Sequence, residues 1–543
     1  MEIWQTERLT GNALTDAYLQ GDPRIRDRFE FAPQQADAVK RRCHTIDHLF
    51  DHAHRKALVA ALTDYAKEQN LLNEASQLLL DKLSDDRCMT VVTGQQAGLF
   101  SGPLYTVYKA VSAVALAKHY EEVMCRPVVP VFWIAAEDHD FDEVASAYYV
   151  DKDAKIARVR LHERPVGRVP IGLYAISDTE LDKLLAQLAV ELPEGMYKSQ
   201  LLEDLDFSYR GATNMGDAFA RLMARFLKDV PILFLNPIYP TFRRLVKDAF
   251  ARVIKNPYGY MRAAQSGAEA LTKRGFAPQV ELHPDHSLLF IVDKGRRYAL
   301  DVDRFQPDRF VLRDTEQYFT KEELLLRLQE QPSDFSSGVL YRPVVQDFLL
   351  PVLAYVGGPA EIAYHGMLKE VFAEAGRHLP ILQLRMRVTA LPTAVTRALE
   401  HLGVTLEDGL KRNLLKESLV RDLSPSLDTV MREMEQWMRK ALLDREAYFL
   451  GIDVTLRASL ERAKEMMTRS LRHLENRSLQ ALERKNKETA YLATVLSSWL
   501  RPALSEQERI LSPLSLFSKY GISWITALLE LEYSPLLMTY IRF

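Results

Sequence analysis

Short, uniformly apolar runs alternate with helix-length segments along the chain before residue 404. The apolar runs are 88–93, 127–135, 230–235, 349–356 and 380–388, and helical patterns occur at 103–120, 239–254, 360–375 and 392–402. Strands that are apolar on both faces are typical of a parallel sheet covered by helices on both sides. The pattern therefore predicts an α/β fold with a doubly wound parallel sheet.

Two segments interrupt this alternation. The first begins with charged alternation at 156–161 and holds a short helical piece, and the second, 276–313, has the pattern of antiparallel strands. Both are interpreted as insertions between strand–helix units of the core. The predicted divisions are a helical lead-in at 1–87, core segments at 88–150, 229–275 and 336–403, insertions at 151–228 and 276–335, a helical coiled coil at 404–505 and a C-terminal segment packing on the core at 506–543.

The region after residue 404 has a heptad pattern. Leu460, Met467, Leu474 and Ala481 fall seven residues apart among dense charges, and no proline occurs between 425 and 502. This spacing predicts a helical hairpin or coiled coil, with Gly451 near the bend. The next heptad position is charged, so the apolar seam covers only three or four heptads.

Composition excludes several classes of protein. The 543 residues include 73 acidic and 70 basic side chains, giving a formal net charge of -3, so a general nucleic-acid binder is not expected. No run of 18 uncharged apolar residues and no signal-peptide pattern occurs, which predicts a cytoplasmic protein without a membrane span. Cys43, Cys88 and Cys125 are widely spaced, so neither a disulfide framework nor a zinc site is expected.

The first candidate motif is the glycine loop TGQQAGLFSGP that follows the first apolar run. Its glycines would let the backbone approach a ligand, and Pro103 suits the first turn of the next helix, so N–H groups would point at an anion. A tight turn without a ligand is the alternative. Lys109 lies nearly two turns into the helix and need not face the same site. The residues predicted to bind a nucleotide cofactor here are Thr93, Gly94, Gly98, Ser101 and Gly102.

The second motif is the acidic cluster EDHDFD, at the carboxyl end of the second apolar run. Ligands of open α/β sheets bind at that edge. We predict His139 as a catalytic general base, oriented by Asp138 or Asp140. A solvated loop that caps the next helix is the alternative, and the pattern allows a magnesium role without requiring one.

The third motif, YVGGPAEIAYHGMLK, repeats the order of strand, glycines, proline and helix. Glu361 lies in the first turn of this helix, where a carboxylate also stabilises the helix N-terminus without any ligand. Arg342 nearby would supply positive charge for a carboxylate-bearing substrate, with a surface salt bridge as the alternative. The residues predicted to bind substrate are Gln95, Gln96, Tyr105, Lys109, Asn236, Arg342, Glu361, Tyr364 and Lys369.

These motifs together resemble a known family. TGQQAGLFSGPLYTVYKA, PVFWIAAEDHDFDEV, RPVVQDFLLPVLAYVGGPAEIAYHGMLKEVF and ILSPLSLFSKYG occur in the order found in the cysteine ligases called BshC. The resemblance covers nearly the whole chain. It implies a Rossmann-like core with two connecting-peptide insertions, similar to class I nucleotidylyltransferases, and a coiled coil that forms a homodimer.

The implied reaction is the last step of bacillithiol synthesis, an amide bond between cysteine and the amine of glucosaminyl malate. A free carboxylate is a poor acyl donor, so ATP is the expected activator, and the substrate amine must lose a proton, which suits His139. Malate carboxylates would suit Arg342 or Lys369. The chain lacks the HIGH-type histidines and KMSKS-type lysines of class I adenylating enzymes, so the mode of activation and any metal requirement stay open.

Two other interpretations remain. One is a nucleotide-binding scaffold or sensor whose coiled coil recruits partners, and the other is a nucleotidyl transferase acting on a different small molecule. In the leading hypothesis the partners are small-molecule substrates and a second copy of the chain, with no nucleic acid and no membrane.

Overall fold

The computed structural model describes residues 1–35, 37–306, 308–411, 415–421, 423–531 and 533–543. The strands are β1 (Glu2–Glu7), β2 (Met89–Gln95), β3 (Val128–Ile134), β4 (Ser146–Val150), β5 (Ile156–Arg160), β6 (Leu233–Leu235), β7 (His286–Asp293), β8 (Arg296–Val302), β9 (Arg309–Leu312), β10 (Tyr318–Thr320), β11 (Phe335–Ser337), β12 (Val352–Gly357), β13 (Ile381–Leu384), β14 (Arg387–Leu391) and β15 (Leu537–Arg542).

The helices of the first half are α1 (Ala13–Leu19), α2 (Ala38–Asp47), α3 (His52–Glu68), α4 (Glu74–Leu83), α5 (Tyr105–Met124), α6 (Phe141–Val144), α7 (Asp178–Glu191), α8 (Lys198–Tyr209), α9 (Met215–Phe226), α10 (Pro240–Leu245), α11 (Lys247–Lys255) and α12 (Pro257–Lys273). Those of the second half are α13 (Lys321–Glu330), α14 (Arg342–Leu349), α15 (Pro359–His365), α16 (Lys369–Glu374), α17 (Thr393–Leu402), α18 (Leu406–Lys411), α19 (Leu415–Arg421), α20 (Pro425–Ile452), α21 (Arg457–Lys485), α22 (Lys487–Leu500), α23 (Gln507–Ile510), α24 (Leu514–Tyr520) and α25 (Ser523–Leu529).

The central sheet is parallel and has the strand order β13-β12-β2-β3-β6 within the described residues. The chain builds β2, β3 and β6 outward on one side and then returns to add β12 and β13 on the other. This order places a topological switch point between β2 and β12, where open α/β sheets bind their ligands. The predicted doubly wound parallel α/β core is therefore confirmed.

Burial explains the local sequence of this core. The central strands β2, β3 and β12 are buried along nearly their full length, so both faces carry apolar side chains. At the end of β2 the backbone passes so close to β3 that a Cβ on Gly94 would lie 2.7 Å from the carbonyl oxygen of Trp133. Helix α5 packs on β2 and β3, and α2, α3 and α4 of the lead-in contact β12, β6 and β3.

The two segments that interrupt the alternation form separate substructures. The first holds β5, which pairs antiparallel with β4, followed by α7, α8 and α9. The second holds an antiparallel sheet of order β10-β9-β8-β7-β11, together with α13. The last strand of that sheet lies next to the core, so the second insertion can supply side chains to the switch point.

Two local predictions were wrong. The lead-in is not wholly helical, because residues 2–7 form strand β1, which pairs antiparallel with β15. The apolar run 380–388 does not form one strand, because β13 ends at Leu384 and β14 begins at Arg387 in a different sheet. The two arginines at this junction are buried: Arg385 donates to the carboxylate of Glu508, and Arg387 donates to backbone carbonyl groups.

The helical region forms a hairpin. Helix α20 ends one residue beyond Gly451, and α21 begins at Arg457 after a single turn of 3₁₀ helix. An ion pair of 3.4 Å between Lys464 and Glu446 joins the two helices, and α22 then returns to pack on α17 and α19. Within the described residues, none of the helices has the length and apolar character needed to cross a membrane.

Candidate active site

A cavity of about 520 Å³ opens at the switch point between β2 and β12. Its size lies within the range of roughly 300–1,000 Å³ found for small-molecule sites. All three sequence motifs reach it, because each follows the carboxyl end of a parallel strand. The lining residues from these motifs and from the residues directly after them are Gly94, Gln95, Gln96, Tyr105, Lys109, Glu137, Asp138, His139, Glu143, Tyr355, Gly358, Pro359, Ala360, Glu361 and Tyr364.

A buried ion pair joins the first and third motifs. Lys109 Nζ lies 2.5 Å from Glu361 Oε2 and also donates to the carbonyl oxygen of Gly94 at 2.8 Å and to Gln95 Oε1 at 2.9 Å. Lys109 therefore does face the end of β2, because about one turn of α5 separates it from the start of the helix at Tyr105 and α5 packs on this strand. Burial lowers the pKa of Lys109, and the attraction of Glu361 only partly offsets this effect.

Glu361 is held ionised by several donors. Its carboxylate accepts a 2.8 Å hydrogen bond from the Gly358 N–H and a 2.6 Å bond from the Tyr355 hydroxyl. Burial alone would raise its pKa, but Lys109 and these donors lower the pKa to about 2. The predicted helix-stabilising role of Glu361 is thus real, and the same carboxylate also binds a lysine inside the cavity wall.

A phenol–guanidinium pair extends this network. Arg342 donates to the Tyr364 hydroxyl at 2.6 Å and to the Tyr355 hydroxyl at 3.4 Å. The buried ring of His365 stacks on Tyr364 with a centroid distance of 4.6 Å, and burial lowers the pKa of His365 to about 4. This wall of the cavity therefore carries fixed positive charge from Arg342 backed by neutral aromatic rings.

Another part of the cavity lining is acidic. The side-chain amide of Gln96 donates to Asp138 at 2.8 Å and to Glu143 at 2.7 Å, so one amide group holds two carboxylates side by side. Burial raises the pKa of Glu143. The pKa of Asp138 is lowered, because the hydrogen bond from Gln96 and the charge of Arg297 outweigh the effect of burial.

His139 lies on the same wall and contacts an arginine from the second insertion. Arg297 Nη1 lies 3.2 Å from His139 Nδ1, and Asp138 Oδ1 lies 3.8 Å from the same nitrogen. Burial, followed by the charge of Arg297, lowers the pKa of His139. Both effects disfavour the imidazolium form of His139.

The chain after the helical hairpin returns to close the cavity. Arg385 forms a buried 2.7 Å ion pair with Glu508 of α23, and its guanidinium lies 5.3 Å from the ring centre of Tyr105. Arg509, the next residue of α23, lines the cavity. Sequence reasoning missed Glu143, Arg297, Glu508 and Arg509 as site residues.

The glycine loop differs from the expected anion cradle. Residues 97–102 are buried, and several of their N–H groups have protein acceptors: the Gly98 N–H donates to the carbonyl oxygen of Gln96, the Phe100 N–H donates to the Tyr209 hydroxyl at 2.8 Å, and the Gly102 N–H donates to a carbonyl within the loop. The Leu104 N–H donates to the carbonyl oxygen of Leu511 at 2.7 Å. Gly98, Ser101 and Gly102 do not line the first cavity, because this loop packs against the first insertion and the C-terminal segment, and their cofactor role stays a prediction.

Other predicted residues also lie away from the cavity. The buried Thr93 hydroxyl donates to the Val356 carbonyl across the sheet, and the exposed Asp140 caps α6. Lys369 donates to the carbonyl oxygen of Asp27. Asn236 lines a second cavity of about 620 Å³ and donates to Asp217. These four residues do not line the first cavity.

The two cavities share one wall. The buried carboxylate of Glu137 lines both cavities, and it forms an ion pair with the equally buried Arg243. In the part of the chain that the structure describes, no cluster of three or more histidine, cysteine or acidic residues could hold a metal ion.

A parallel α/β core with a charged cavity at its switch point, followed by a helical hairpin, defines a Rossmann-like protein with a small-molecule site. The chain belongs to the BshC family of bacillithiol biosynthesis. The family's N-terminal Rossmann-like domain matches residues 1–386, and its C-terminal coiled-coil domain matches residues 388–541.

Relatives carry the name "Putative cysteine ligase BshC". The protein from Salinibacter ruber is 32% identical over 86% of this chain and 85% of its own length, and that from Shouchella clausii is 32% identical over 88% of both. The relative from Heliobacterium modesticaldum is 30% identical over 96% of both chains. A solved structure from Campylobacter jejuni, described as a "putative arginyl t-RNA synthetase", matches 82% of this chain and 94% of its own length at 10% identity, with a TM-score of 0.23.

Proposed function

We propose that this protein is a cysteine ligase that joins L-cysteine to the amine of glucosaminyl malate, the last step of bacillithiol synthesis. The observation that carries the proposal is the cavity at the switch point, whose lining holds both arginine side chains and carboxylates. Membership of a family whose relatives are named cysteine ligases supports it.

The charges of the cavity match the two substrates. Arg342, Arg385 and Arg509 line the cavity, and guanidinium groups suit the two carboxylates of malate. Asp138 and Glu143 also line it, and they would attract the ammonium form of the glucosamine amine. In this orientation the amine lies beside a carboxylate that can accept its proton before the nitrogen attacks the acyl carbon of cysteine.

We also propose that a nucleoside triphosphate such as ATP activates the cysteine carboxylate. When bound, it would supply the phosphoryl or adenylyl group that turns the carboxylate into an acyl donor. The groups that fit its phosphates are the guanidinium groups of Arg342 and Arg509, since the ammonium of Lys109 already has three acceptors in the protein. These side chains bind and orient anionic groups in a partly enclosed space, where charge interactions are strong.

The experiment that tests the function is a thiol and metabolite profile of the source organism after deletion of the gene. We expect loss of bacillithiol and accumulation of glucosaminyl malate, restored by the wild-type gene and not by Lys109→Met at equal protein abundance. Lys118→Met is the matched control, because this lysine lies on the same helix and is exposed. Unchanged bacillithiol in the deletion strain would count against the proposal.

We propose further that the helical hairpin forms a homodimer. Support comes from large apolar side chains that α20 and α21 expose in the single chain: Trp437, Leu443, Tyr448, Ile452 and Met466. Light scattering coupled to size-exclusion chromatography tests this arrangement. The expected result is twice the mass of the chain, and a monomer at micromolar concentration would refute it.

A further inference from the structure

The hydrogen bonding of His139 limits what this residue can do. An arginine guanidinium carries only donors, so the 3.2 Å contact from Arg297 Nη1 requires a lone pair on His139 Nδ1. In a neutral imidazole the other nitrogen, Nε2, then carries the proton. The ring therefore has a donor at Nε2, and its one acceptor position is occupied by Arg297.

Arg297 itself is held from several directions. It is buried, donates to the Ser336 hydroxyl at 3.1 Å and to the Ser337 carbonyl at 2.8 Å, and lies over the ring of Phe290 at 3.8 Å. These contacts come from β7 and β11 of the second insertion. They fix the guanidinium against His139 before any substrate arrives.

We infer that Arg297 is a positioning residue that holds His139 as an Nε2–H hydrogen-bond donor at the wall of the active-site cavity. This inference rests on the proposed function, in which that donor would bind an oxygen of the acyl group or its activating group. The amine proton must then go to a carboxylate of the same wall, because the lone pair of His139 is occupied. The predicted role of His139 as general base changes accordingly to that of a donor.

The charges around His139 make the inference measurable. Arg297 and Arg168 disfavour the imidazolium, whereas Asp138 and Asp140 favour it. Removing Arg297 leaves two carboxylates against one arginine, and Asp138 becomes free to accept a proton held on Nδ1. The pKa of His139 is then expected to rise by about one pH unit or more.

The experiment measures hydrogen–deuterium exchange at the imidazole carbon of His139 against pH, by mass spectrometry of the full-length protein without substrates. Arg297→Met should raise the midpoint, Arg297→Lys should leave it near the wild-type value because a cationic donor remains, and the exposed neighbour Arg296→Met is the matched control. Equal midpoints in wild type and Arg297→Met would overturn the inference. Arg297→Lys guards against a variant that fails to fold.

A second readout uses variants of His139 in the deletion strain. The amide nitrogen of Gln reaches the position of Nε2, whereas that of Asn reaches only Nδ1, so His139→Gln should support about tenfold more bacillithiol than His139→Asn. The reverse order would overturn the inference. If the wild-type gene itself fails to restore bacillithiol, the proposed function is wrong, and the exchange experiment still decides the role of Arg297.

Discussion

The buried pair of Lys109 and Glu361 allows a quantitative prediction. The pKa values of both groups are lowered, but the effect has opposite meanings for an acid and a base. The pKa of Glu361 falls to about 2, so the protein stabilises its charged form, whereas burial lowers the pKa of Lys109, so the protein disfavours its charged form. The side chain of Lys109 is only 3% exposed, so the free-energy cost of removing its ammonium from water exceeds the attraction of the single carboxylate. We therefore expect that removing Glu361 harms the fold more than removing Lys109.

The magnitude follows from Glu361. A pKa that falls from 4.5 to about 2 corresponds to about 3 kcal/mol at 1.36 kcal/mol per pH unit. Its side chain is 22% exposed, which reduces the value to about 2–3 kcal/mol. Because the pKa is lowered in the folded state, this stability is present above pH 4.5 and is lost as the pH falls toward about 2.

The test is urea unfolding at pH 7, followed by circular dichroism, of Glu361→Gln, Lys109→Met and the double variant. We expect Glu361→Gln to lower the free energy of unfolding by about 2–3 kcal/mol, because it leaves a buried ammonium without its counter-charge. Lys109→Met should cost less, and the double variant should unfold at a higher urea concentration than Glu361→Gln. A Glu361→Gln variant as stable as wild type, or a double variant less stable than either single one, would refute the reasoning.

The remaining predictions concern individual groups of the site. Glu143→Gln should lower bacillithiol production. The activity of the wild-type protein should fall as the pH decreases through the raised pKa of Glu143, because the carboxyl group then becomes protonated. A pH–rate profile of the variant should lack this dependence. Glu508→Gln should lower the free energy of unfolding by about 3 kcal/mol or more in a urea titration, because it leaves the buried Arg385 unpaired. Lys369→Ala should preserve bacillithiol production and change the free energy of unfolding by less than about 0.5 kcal/mol. A thiol profile that shows loss of bacillithiol in this variant would instead support a role for Lys369 in the active site.

Local sequence patterns predicted the core because a buried parallel strand leaves a recognisable apolar run. The same logic placed Gln96, His139 and Glu361 at one edge, since each follows the carboxyl end of such a strand. The pairing of Lys109 with Glu361 could not be predicted, because it depends on the rotation of α5 over β2 rather than on either local pattern.

The residues that sequence reasoning missed lie outside the core motifs. Arg297 shares the buried face of β8 with Ala299 and Asp301. A charged residue at a position where strand alternation predicts burial could therefore have marked Arg297 as a site residue. Glu508 and Arg509 belong to a short helix after the hairpin and carry no periodic pattern. The glycine loop could not be told from a ligand cradle by its sequence, because glycines that permit close backbone contact with a ligand also permit close contact with protein: a Cβ on Gly98 would lie 2.9 Å from the Cα of Gly102.

The helical hairpin is inserted into the structure that completes the active site. Strands β14 and β15 are parallel neighbours in one sheet, although α18 to α22 lie between them in the chain. Helix α23, which contributes to the cavity, comes after the hairpin in the chain. Removing everything after residue 403 would therefore take away Glu508, Leu511 and β15, exposing Arg385 and the start of α5. Shortening α20 and α21 by equal numbers of turns leaves these contacts in place. We therefore expect the shortened chain to fold and the truncated chain to aggregate, which circular dichroism and light scattering distinguish.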